Sequence, residues 1–184
     1  GDDITMKIAV STGSPHKDGT SAYLADNFIR GAQDAGHSVY RFDAAFKNIS
    51  HCQADEYCHT QNCNRCGVSD DMDELYPHLL ECDHLVLVSP LHYNSFSSQL
   101  KTAIGRIYCI DKEMHRKASA SLIVTYEETD LEPAVGIVAS FKQMLRYWGW
   151  DEKNILLAKG CPDMEALLQT EYPKQAYMMG RTLA

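Results

Sequence analysis

The chain reads Lys7-Ile8-Ala9-Val10-Ser11-Thr12-Gly13-Ser14-Pro15-His16-Lys17-Asp18-Gly19-Thr20-Ser21, which is an apolar strand followed by a polar loop and the start of a helix. The first backbone N–H groups of a helix have no partner within it, and the helix dipole favours an anion at that end. Hydroxyl and cationic side chains add donors, at Ser14, His16, Lys17, Thr20 and Ser21. We interpret the segment as a phosphate-binding loop; an ordinary loop with its helix cap at Thr20 or Ser21 is the alternative.

The spacing of this loop indicates which phosphate ligand it suits. Gly13 and Gly19 let the backbone approach a ligand, but no Lys-Ser/Thr pair follows them as in the nucleotide-triphosphate loop. The three glycines of a dinucleotide fingerprint are also missing. A hydroxyl-rich turn at the first helix of a doubly wound sheet is how flavodoxin-like folds hold the phosphate of flavin mononucleotide, FMN. The sequence therefore predicts an FMN phosphate site.

Strand and helix patterns alternate along the chain, with no repeat or linker that divides it. Residues 85–88 are all apolar, which is typical of a strand buried on both faces of a parallel sheet. We predict one α/β domain over residues 1–184, a flavodoxin-like doubly wound sheet of five parallel strands in the order 2-1-3-4-5 with helices on both faces. Asp71 and Glu74 match a capping box. The predicted strands are Lys7–Ser11, His37–Asp43, Leu85–Val88, Ser121–Thr125 and Ile155–Ala158, and the predicted helices are Thr20–Ala35, one that starts at Asp70-Asp71, Ser97–Tyr108, Glu132–Trp148 and one that begins near Asp163 and breaks at Pro173.

Ligands of such sheets bind beyond the carboxyl ends of the strands. The loop after the third strand begins at Ser89 and places two planar rings, backbone amides and an Asn side chain at that edge. A flavin ring needs flat apolar surface for stacking and donors for its polar atoms. The alternative is that His92 and Tyr93 are ordinary surface residues. We predict flavin-binding roles for Pro90, Leu91, His92, Tyr93, Asn94 and Ser95, and for Tyr126 after the fourth strand.

Composition sets limits on partners and location. Lys and Arg number 17 against 25 Asp and Glu, and the formal net charge of −8 argues against nucleic acid or an anionic membrane as a partner. No apolar run is long enough to span a membrane and no signal-peptide pattern is visible, so we expect a cytoplasmic protein. Seven cysteines is an odd number, which favours free thiols or a metal site over a set of disulfides.

Three segments in order resemble the NADPH-dependent FMN reductase family, and above all its branch of iron–sulfur flavoproteins. They are Gly13 to Ser21, Asp70-Asp71-Met72, and Ser89 to Lys101 with its Ser-Pro-x-x-x-x-Ser-x-Ser-x-Gln-Leu-Lys pattern. The resemblance implies a flavodoxin-like fold, bound FMN, NAD(P)H as the hydride donor and a homodimer with the flavin near the subunit interface. By match, the phosphate-binding positions are Ser14, His16, Thr20 and Ser21, and the flavin-ring positions are Pro90 to Ser95.

Departures from the family pattern change two expectations. His16 stands where the family usually has Arg, and His92 stands where it usually has Tyr. Acidic side chains follow the fourth strand, at Glu127, Glu128 and Asp130, where many relatives have glycines. Because carboxylates disfavour anions nearby, the family resemblance does not establish a preference for NADPH over NADH here. A protein, instead of a pyridine nucleotide, is an alternative electron donor.

Four of the cysteines fall in one stretch of 15 residues, at Cys52, Cys58, Cys63 and Cys66. The iron–sulfur relatives carry a tighter Cys-x-x-Cys-x-x-Cys array there, and Asp55 stands where its middle cysteine belongs. Because a carboxylate is a poor iron–sulfur ligand, we expect no cluster and no metal. An intact cluster, or a zinc site that uses His51 or His59, is the alternative. The other cysteines look isolated, which is typical of core or surface thiols: Cys82, Cys109 and Cys161.

The expected function is an FMN-dependent oxidoreductase that passes electrons from NAD(P)H to a small-molecule or protein acceptor. We expect no catalytic side chain, because hydride chemistry belongs to the flavin. A non-enzymatic electron carrier of the flavodoxin type is the first alternative, and NAD(P)H turnover distinguishes the two. A flavin-free interaction module that keeps the fold is the second, and such a protein would stay colourless after FMN is added.

Overall fold

A computed structural model describes residues 4–60 and 65–184 and has the architecture that the sequence predicts. Within these residues five parallel strands form one sheet in the order β2-β1-β3-β4-β5, which is the flavodoxin-like order. The strands are β1 Lys7–Thr12, β2 Ser38–Asp43, β3 His84–Pro90, β4 Ser119–Thr125 and β5 Asp151–Ala158. The helices are α1 Thr20–Asp34, α2 Tyr57–Thr60, α3 Met72–Glu81, α4 Ser98–Arg106, α5 Asp111–Met114, α6 Val135–Trp148, α7 Met164–Leu168 and α8 Tyr172–Arg181.

Alternating apolar residues of the strands are buried on both faces of the sheet. Val10 and Val86 pack against α1 and α8 on one face, whereas Ala9 and Leu85 belong to the core under α3, α4 and α6 on the other. Each fully buried aliphatic side chain contributes about 1.5–3 kcal/mol through the hydrophobic effect. Burial on both faces explains why the central strands are apolar throughout, since each side chain meets a helix layer.

The helices α1 and α8 cross unusually closely. A Cβ atom on Gly31 would lie 2.0 Å from the carbonyl oxygen of Tyr177, and one on Gly180 would lie 2.1 Å from that of Phe28. Only glycine permits this approach, because the atoms it meets are backbone atoms that cannot turn aside. The last helix of the chain is thereby held directly on the helix that follows the predicted phosphate loop.

Several predicted boundaries differ from the structure for identifiable reasons. β5 begins at Asp151, four residues before the predicted start, because an edge strand needs no apolar residues on its exposed part. The predicted capping box of α3 is wrong, since the Asp71 carboxylate accepts from the Asn48 backbone N–H at 2.6 Å instead. The predicted last helix is interrupted between Leu168 and Tyr172, directly before the predicted break at Pro173, which lies in the first turn of α8. None of the helices described here is long and apolar enough to cross a membrane.

Candidate functional site

A cavity of about 410 Å³ opens at the carboxyl edge of the sheet, between the loops that follow β1, β3, β4 and β5. This volume lies within the range of small-molecule and cofactor sites. Eight of the eleven residues predicted to bind the cofactor line it, namely Ser14, His16, Thr20, Ser21, Pro90, Leu91, His92 and Tyr126. The structure thus brings the two predicted ligand segments to one cavity, although their nearest predicted residues, Ser21 and Pro90, are 69 positions apart in the sequence.

The N-terminus of α1 presents unpaired backbone donors at this cavity. The N-cap residue is Gly19, not Thr20 or Ser21, and no side chain caps the helix. Within residues 4–60 and 65–184, no acceptor bonds the backbone N–H groups of Thr20, Ser21 and Ala22. A 15-residue helix with free N–H groups at its positive end is suited to bind a phosphate dianion. The N-terminus of α1 is therefore suited to the phosphate group of FMN.

The three hydroxyls of the loop have different roles. Ser14 Oγ accepts from the His16 backbone N–H at 3.1 Å, so it holds the shape of the turn. Ser21 Oγ is buried and shares a hydrogen bond with Thr125 Oγ1 at 2.7 Å, which ties α1 to the end of β4. The half-buried Thr20 hydroxyl lines the cavity and has no protein partner in the described part of the chain. Thr20 is therefore the hydroxyl best placed to donate to a ligand.

A second group of hydrogen bonds holds the loops together beneath the cavity. Ser97 Oγ donates to the carbonyl oxygen of Gly13 at 2.7 Å, and the Ser97 backbone N–H donates to Ser89 Oγ at 2.9 Å. Ser97 Oγ also accepts from the Leu100 backbone N–H and so caps α4. A Cβ atom on Gly13 would lie 2.3 Å from Ser97 Oγ. The lack of a side chain at Gly13 therefore permits this contact between the two loops.

The loop after β3 divides into a part that lines the cavity and a part that projects away. The Leu91 backbone N–H donates to the carbonyl oxygen of Thr125 at 2.9 Å, which fixes the lining part. His92 and Ser95 exchange two backbone hydrogen bonds around a tight turn, in which Tyr93 has φ +47° and Asn94 φ +63°. The Tyr93 side chain is fully exposed. Tyr93, Asn94 and Ser95 do not line the cavity.

The fourth wall of the cavity was missed by sequence reasoning. It is formed by the loop after β5, with Cys161, Pro162, Asp163 and Met164. It lies beside Thr125 and the acidic loop after β4, with Glu127 and Glu128, which the sequence had already placed at this edge. The Cys161 backbone N–H donates to the carbonyl oxygen of Tyr126 at 2.9 Å, and that of Gly160 donates to Glu128 at 2.7 Å. The Tyr126 hydroxyl donates to the carbonyl oxygen of Asp130 at 3.0 Å and folds the loop back. The position of β5 in the predicted sheet was the signal that could have located this wall.

Charge is distributed unevenly around the cavity. Three exposed carboxylates line it, at Glu127, Glu128 and Asp163, whereas the basic side chains among the described lining residues are the two histidines His16 and His92. Lys17 points to Phe46, with Nζ 5.2 Å from the ring centroid. The donors that line the cavity are thus backbone N–H groups, hydroxyls and histidines rather than arginine, and the carboxylates disfavour anionic groups near the acidic wall.

The cysteine-bearing loop lies elsewhere, beside α4 and the turn of 3₁₀ helix at Ile107–Ile110. Three of its cysteines, Cys52, Cys58 and Cys66, line a small space of about 20 Å³ together with Cys109 of the 3₁₀ helix. Cys109 therefore is not isolated, as the sequence indicated, because it lines the same small space as Cys58 and Cys66. Burial raises the pKa of the Cys109 thiol to about 12 and also raises that of Cys58. Cys63 lies outside the described residues.

The arrangement of these cysteines bears on whether they can bind an iron–sulfur cluster. Among residues 4–60 and 65–184, no group of three or more His, Cys, Asp or Glu side chains is arranged to hold a metal ion. Asp55 and Glu56 line the same small space in place of a further cysteine. The described residues do not fit a four-cysteine cluster.

A buried ion pair fixes the cysteine-bearing loop to the core. The side chains of Arg106 and Asp70 are 1% and 3% exposed, and two hydrogen bonds join them at 2.6 and 3.2 Å. Arg106 also donates to the carbonyl oxygens of Ser50 and Val68. Burial alone would raise the pKa of the Asp70 carboxyl, but the bonds from Arg106 and from two backbone N–H groups outweigh it and lower the pKa.

Comparison with known proteins identifies what this chain is similar to. A sequence model of the NADPH-dependent FMN reductase family matches residues 6–145. An iron–sulfur flavoprotein of Archaeoglobus fulgidus is 28% identical over 146 residues, which cover 78% of this chain and 64% of that protein. One from Methanosarcina thermophila is 25% identical over 122 residues, 65% of this chain and 63% of that protein. The chain thus spans less than two thirds of these curated relatives.

Solved structures with the same fold include flavin-dependent reductases. An NAD(P)H:quinone oxidoreductase from Methanothermobacter marburgensis aligns with a TM-score of 0.76 at 18% identity and covers 98% of both chains. An FMN-dependent NADH-azoreductase from Bacillus anthracis, solved in complex with FMN, aligns with a TM-score of 0.71 at 14% identity, covering 97% of this chain and 99% of that one. At these identities the likeness establishes the fold.

Proposed function

Because this chain belongs to the NADPH-dependent FMN reductase family, we propose that it binds FMN in the cavity at the carboxyl edge of the sheet and is an oxidoreductase. The proposed reaction takes a hydride from NAD(P)H and passes two electrons to a small-molecule or protein acceptor. The observation that carries the proposal is the free N-terminus of α1, with its unpaired backbone N–H groups beside the Thr20 hydroxyl. A phosphate dianion is the ligand that such an arrangement favours.

Each wall of the cavity then has a defined task. The α1 N-terminus and Thr20 bind the phosphate, and the segment Pro90 to His92 forms a wall for the ring. When bound, FMN supplies the hydride chemistry, so no side chain need act as a catalytic acid or base. The carboxylates of Glu127 and Glu128 disfavour a second phosphate dianion nearby. We therefore propose that NADH serves at least as well as NADPH.

One set of measurements on the purified protein tests this function. FMN is titrated into the protein while flavin fluorescence is followed, and consumption of NADH and of NADPH is then measured with a quinone as acceptor. We expect stoichiometric FMN binding and turnover with NADH. A protein that stays colourless and binds no FMN contradicts the proposal. Stoichiometric binding without turnover of either nucleotide supports the flavodoxin-type electron carrier instead.

The exposed tyrosine in the loop after β3 yields a second expectation. Tyr93 does not line the cavity, and we propose that it covers the part of the flavin ring that extends past His92, because it is a fully exposed aromatic side chain on a turn whose positive φ disfavours it. Stacking of this kind contributes about 1 kcal/mol. Tyr93→Ala should therefore weaken FMN binding several-fold and raise the reduction potential, since less electron density faces the reduced ring. The control is Tyr57→Ala, which removes another exposed tyrosine, in α2 and outside the cavity lining. Equal affinity and potential in both variants would show that the turn is structural.

We also propose that the cysteine-bearing loop holds no iron–sulfur cluster, unlike the relatives named for one. Support comes from Asp55, which stands where the middle cysteine of the array belongs. Iron and acid-labile sulfide in anaerobically purified protein should be far below one cluster per chain. Asp55→Cys restores the spacing with Cys52 and Cys58 and is expected to gain iron under the same conditions. Near-stoichiometric iron in the unaltered protein would overturn this proposal.

Location and assembly complete the proposed function. We propose a cytoplasmic protein, supported by the free thiols of the described cysteines, which include the exposed Cys52. We also propose a homodimer, in keeping with the exposed aromatic and apolar side chains of Tyr93 and Leu131. Neither nucleic acid nor a membrane is proposed as a partner, because the net charge is −8.

A further inference from the structure

The small space of about 20 Å³ beside α4 is lined by four cysteines, Cys52, Cys58, Cys66 and Cys109, and we call it the thiol pocket. A space of this size holds about one water molecule, so the side chains around it face one another at short range. The described cysteines are all free thiols, and within residues 4–60 and 65–184 they are not arranged to hold a metal ion. The thiols of this pocket are therefore available for covalent chemistry with one another.

The four thiols of the pocket differ in how readily they can react. Cys52 is exposed, Cys66 is half-buried, and Cys58 and Cys109 are buried. Burial raises the pKa of the Cys58 thiol and that of the Cys109 thiol, so the thiolate form of each is scarce at neutral pH. The thiolate, and not the thiol, is the form that attacks an oxidant. The first reaction in the pocket therefore falls to Cys52 or Cys66.

Cys66 has polar groups around it that suit a reactive thiol. The Val68 backbone N–H donates to Cys66 Sγ at 3.5 Å. Arg106 lines the same pocket, and its buried guanidinium has an Nε–H group with no hydrogen-bond partner among the described residues. Burial alone would lower the pKa of Arg106, but its bonds to Asp70 and its interaction with groups that include Cys66 raise it. A partly exposed thiol beside a cation and an N–H donor is the setting in which cysteines react.

Two carboxylates also line the pocket, and both already have hydrogen-bond partners. Glu56 accepts from the Tyr108 hydroxyl at 3.0 and 3.1 Å, and Asp55 accepts from the Tyr57 backbone N–H at 3.1 Å. Neither is paired with Arg106 in the described part of the chain. The free Nε–H group of Arg106 is therefore left to stabilise negative charge that develops on a sulfur or oxygen atom in the pocket.

We propose that Cys66 and Cys58 form a disulfide when the protein meets hydrogen peroxide, which makes the thiol pocket a site of reversible oxidation. The Cys66 thiolate attacks one peroxide oxygen, the O–O bond breaks, and the hydroxide released takes up the thiol proton and leaves as water. The Cys58 sulfur then attacks the sulfur of this sulfenic acid, an S–S bond replaces the S–O bond, and a second water leaves with the Cys58 proton. The two thiols lose two electrons, and the peroxide gains them.

Cys58 is a better partner for Cys66 than Cys109 is. Cys58 lies on α2, eight positions before Cys66 in the same loop, whereas Cys109 belongs to the 3₁₀ helix that continues from α4. Burial also raises the pKa of the Cys109 thiol to about 12, so it almost never ionises at neutral pH. The reaction needs no FMN and goes beyond the proposed function, except that it rests on the proposed absence of an iron–sulfur cluster.

Oxidation of the full chain tests the proposal directly. Reduced protein is treated with equimolar hydrogen peroxide, free thiols are counted in denaturant, and tryptic peptides are analysed by mass spectrometry. We expect the count to fall from seven to about five, with one disulfide between Cys58 and Cys66. Trypsin cuts after Arg65 and so places these two cysteines on separate peptides. Dithiothreitol should restore all seven thiols.

Three single variants distinguish the roles of the cysteines. Cys66→Ser should abolish the disulfide, whereas Cys58→Ser should stop the reaction at a sulfenic acid on Cys66, which dimedone labels. Cys52→Ser is the matched control: it removes the exposed thiol of the pocket, and the disulfide should form at an unchanged rate. A reaction that requires Cys52, or a disulfide that contains Cys63 or Cys109, overturns the proposal.

An iron assay on the same reduced sample separates this inference from the proposed absence of a cluster. Near-stoichiometric iron contradicts both, because the thiols of the loop would then be ligands. Iron-free protein that keeps all seven thiols after peroxide treatment contradicts the disulfide alone. Iron-free protein that gains the Cys58–Cys66 disulfide supports both.

Discussion

Replacing Arg106 by methionine is expected to destabilise the protein by about 3–5 kcal/mol, the typical cost when one partner of a buried ion pair is removed. The reason is that Asp70, with a side chain only 3% exposed, would keep its charge without its partner. The same change detaches the carbonyl oxygens of Ser50 and Val68, so the cysteine-bearing loop loses its fixed attachment to α4. Urea unfolding followed by tryptophan fluorescence measures the change.

A second arginine provides the matched control. Arg41 also pairs with two carboxylates, those of Asp26 and Asp43, but its side chain is 27% exposed. Arg41→Met should therefore cost no more than about 1 kcal/mol, as for surface pairs. If both variants lose the same free energy of unfolding, burial does not determine how much the Arg106–Asp70 pair contributes to stability.

The pH dependence of the Arg106→Met variant follows from the lowered pKa of Asp70. In the unaltered protein the stabilisation is complete above the unfolded pKa of about 4 and is lost as the pH falls through the lower folded pKa. Without Arg106, burial raises the pKa of Asp70 above its unfolded value, so the variant gains stability as the carboxyl takes up a proton. The difference between the two proteins should therefore shrink from neutral pH toward pH 4.

Replacing Thr20 and Ser21 together by alanine should weaken FMN binding by at least about tenfold, because a hydrogen bond to a charged group contributes roughly 1.5–3 kcal/mol. The structure divides this effect unequally between the two residues. Thr20 has its hydroxyl free at the cavity, whereas Ser21 already shares its hydroxyl with Thr125. Equilibrium dialysis should assign most of the loss to Thr20→Ala alone.

Thr125→Val is the matched control for the structural part of that effect. It removes the partner of Ser21 and leaves both loop hydroxyls in place, so any loss it causes measures the tie between α1 and β4. If Thr20→Ala and Ser21→Ala each leave the affinity unchanged, the phosphate binds elsewhere and the assignment of the loop is wrong. Calorimetric unfolding of each variant verifies that the fold is retained.

The sheet and the predicted ligand loops could be read from the sequence because their signals are local. A short apolar run followed by apolar residues at helical spacing predicts a strand and a helix, and repetition of this pair predicts a parallel sheet. The carboxyl-edge rule then places the loops after β1 and β3 together without any knowledge of contacts. Fold and cavity position therefore followed from patterns within about a dozen residues.

The remaining features depend on partners far away in the chain. Ser21 and Thr20 are equivalent in sequence terms, and only the position of Thr125, 104 residues from Ser21, makes one structural and leaves the other free. Cys109 looked isolated because its neighbour Cys58 is 51 residues away. The wall at Cys161–Met164 carries no glycine-rich or hydroxyl-rich signature, since it is positioned by backbone bonds to the loop after β4.

The close crossing of α1 and α8 has a consequence for the order in which this protein can be completed during its synthesis. The helix α1, which follows the phosphate loop, emerges from the ribosome before α8, but its glycine contact at Gly31 is with Tyr177, 146 residues later in the chain. The buried His37 ring likewise bonds the carbonyl oxygen of Leu183. The apolar face of the sheet that α1 and α8 cover therefore stays incompletely buried until α8 has been translated. Such a nascent chain depends on rapid final closure, or on chaperones, to avoid aggregation.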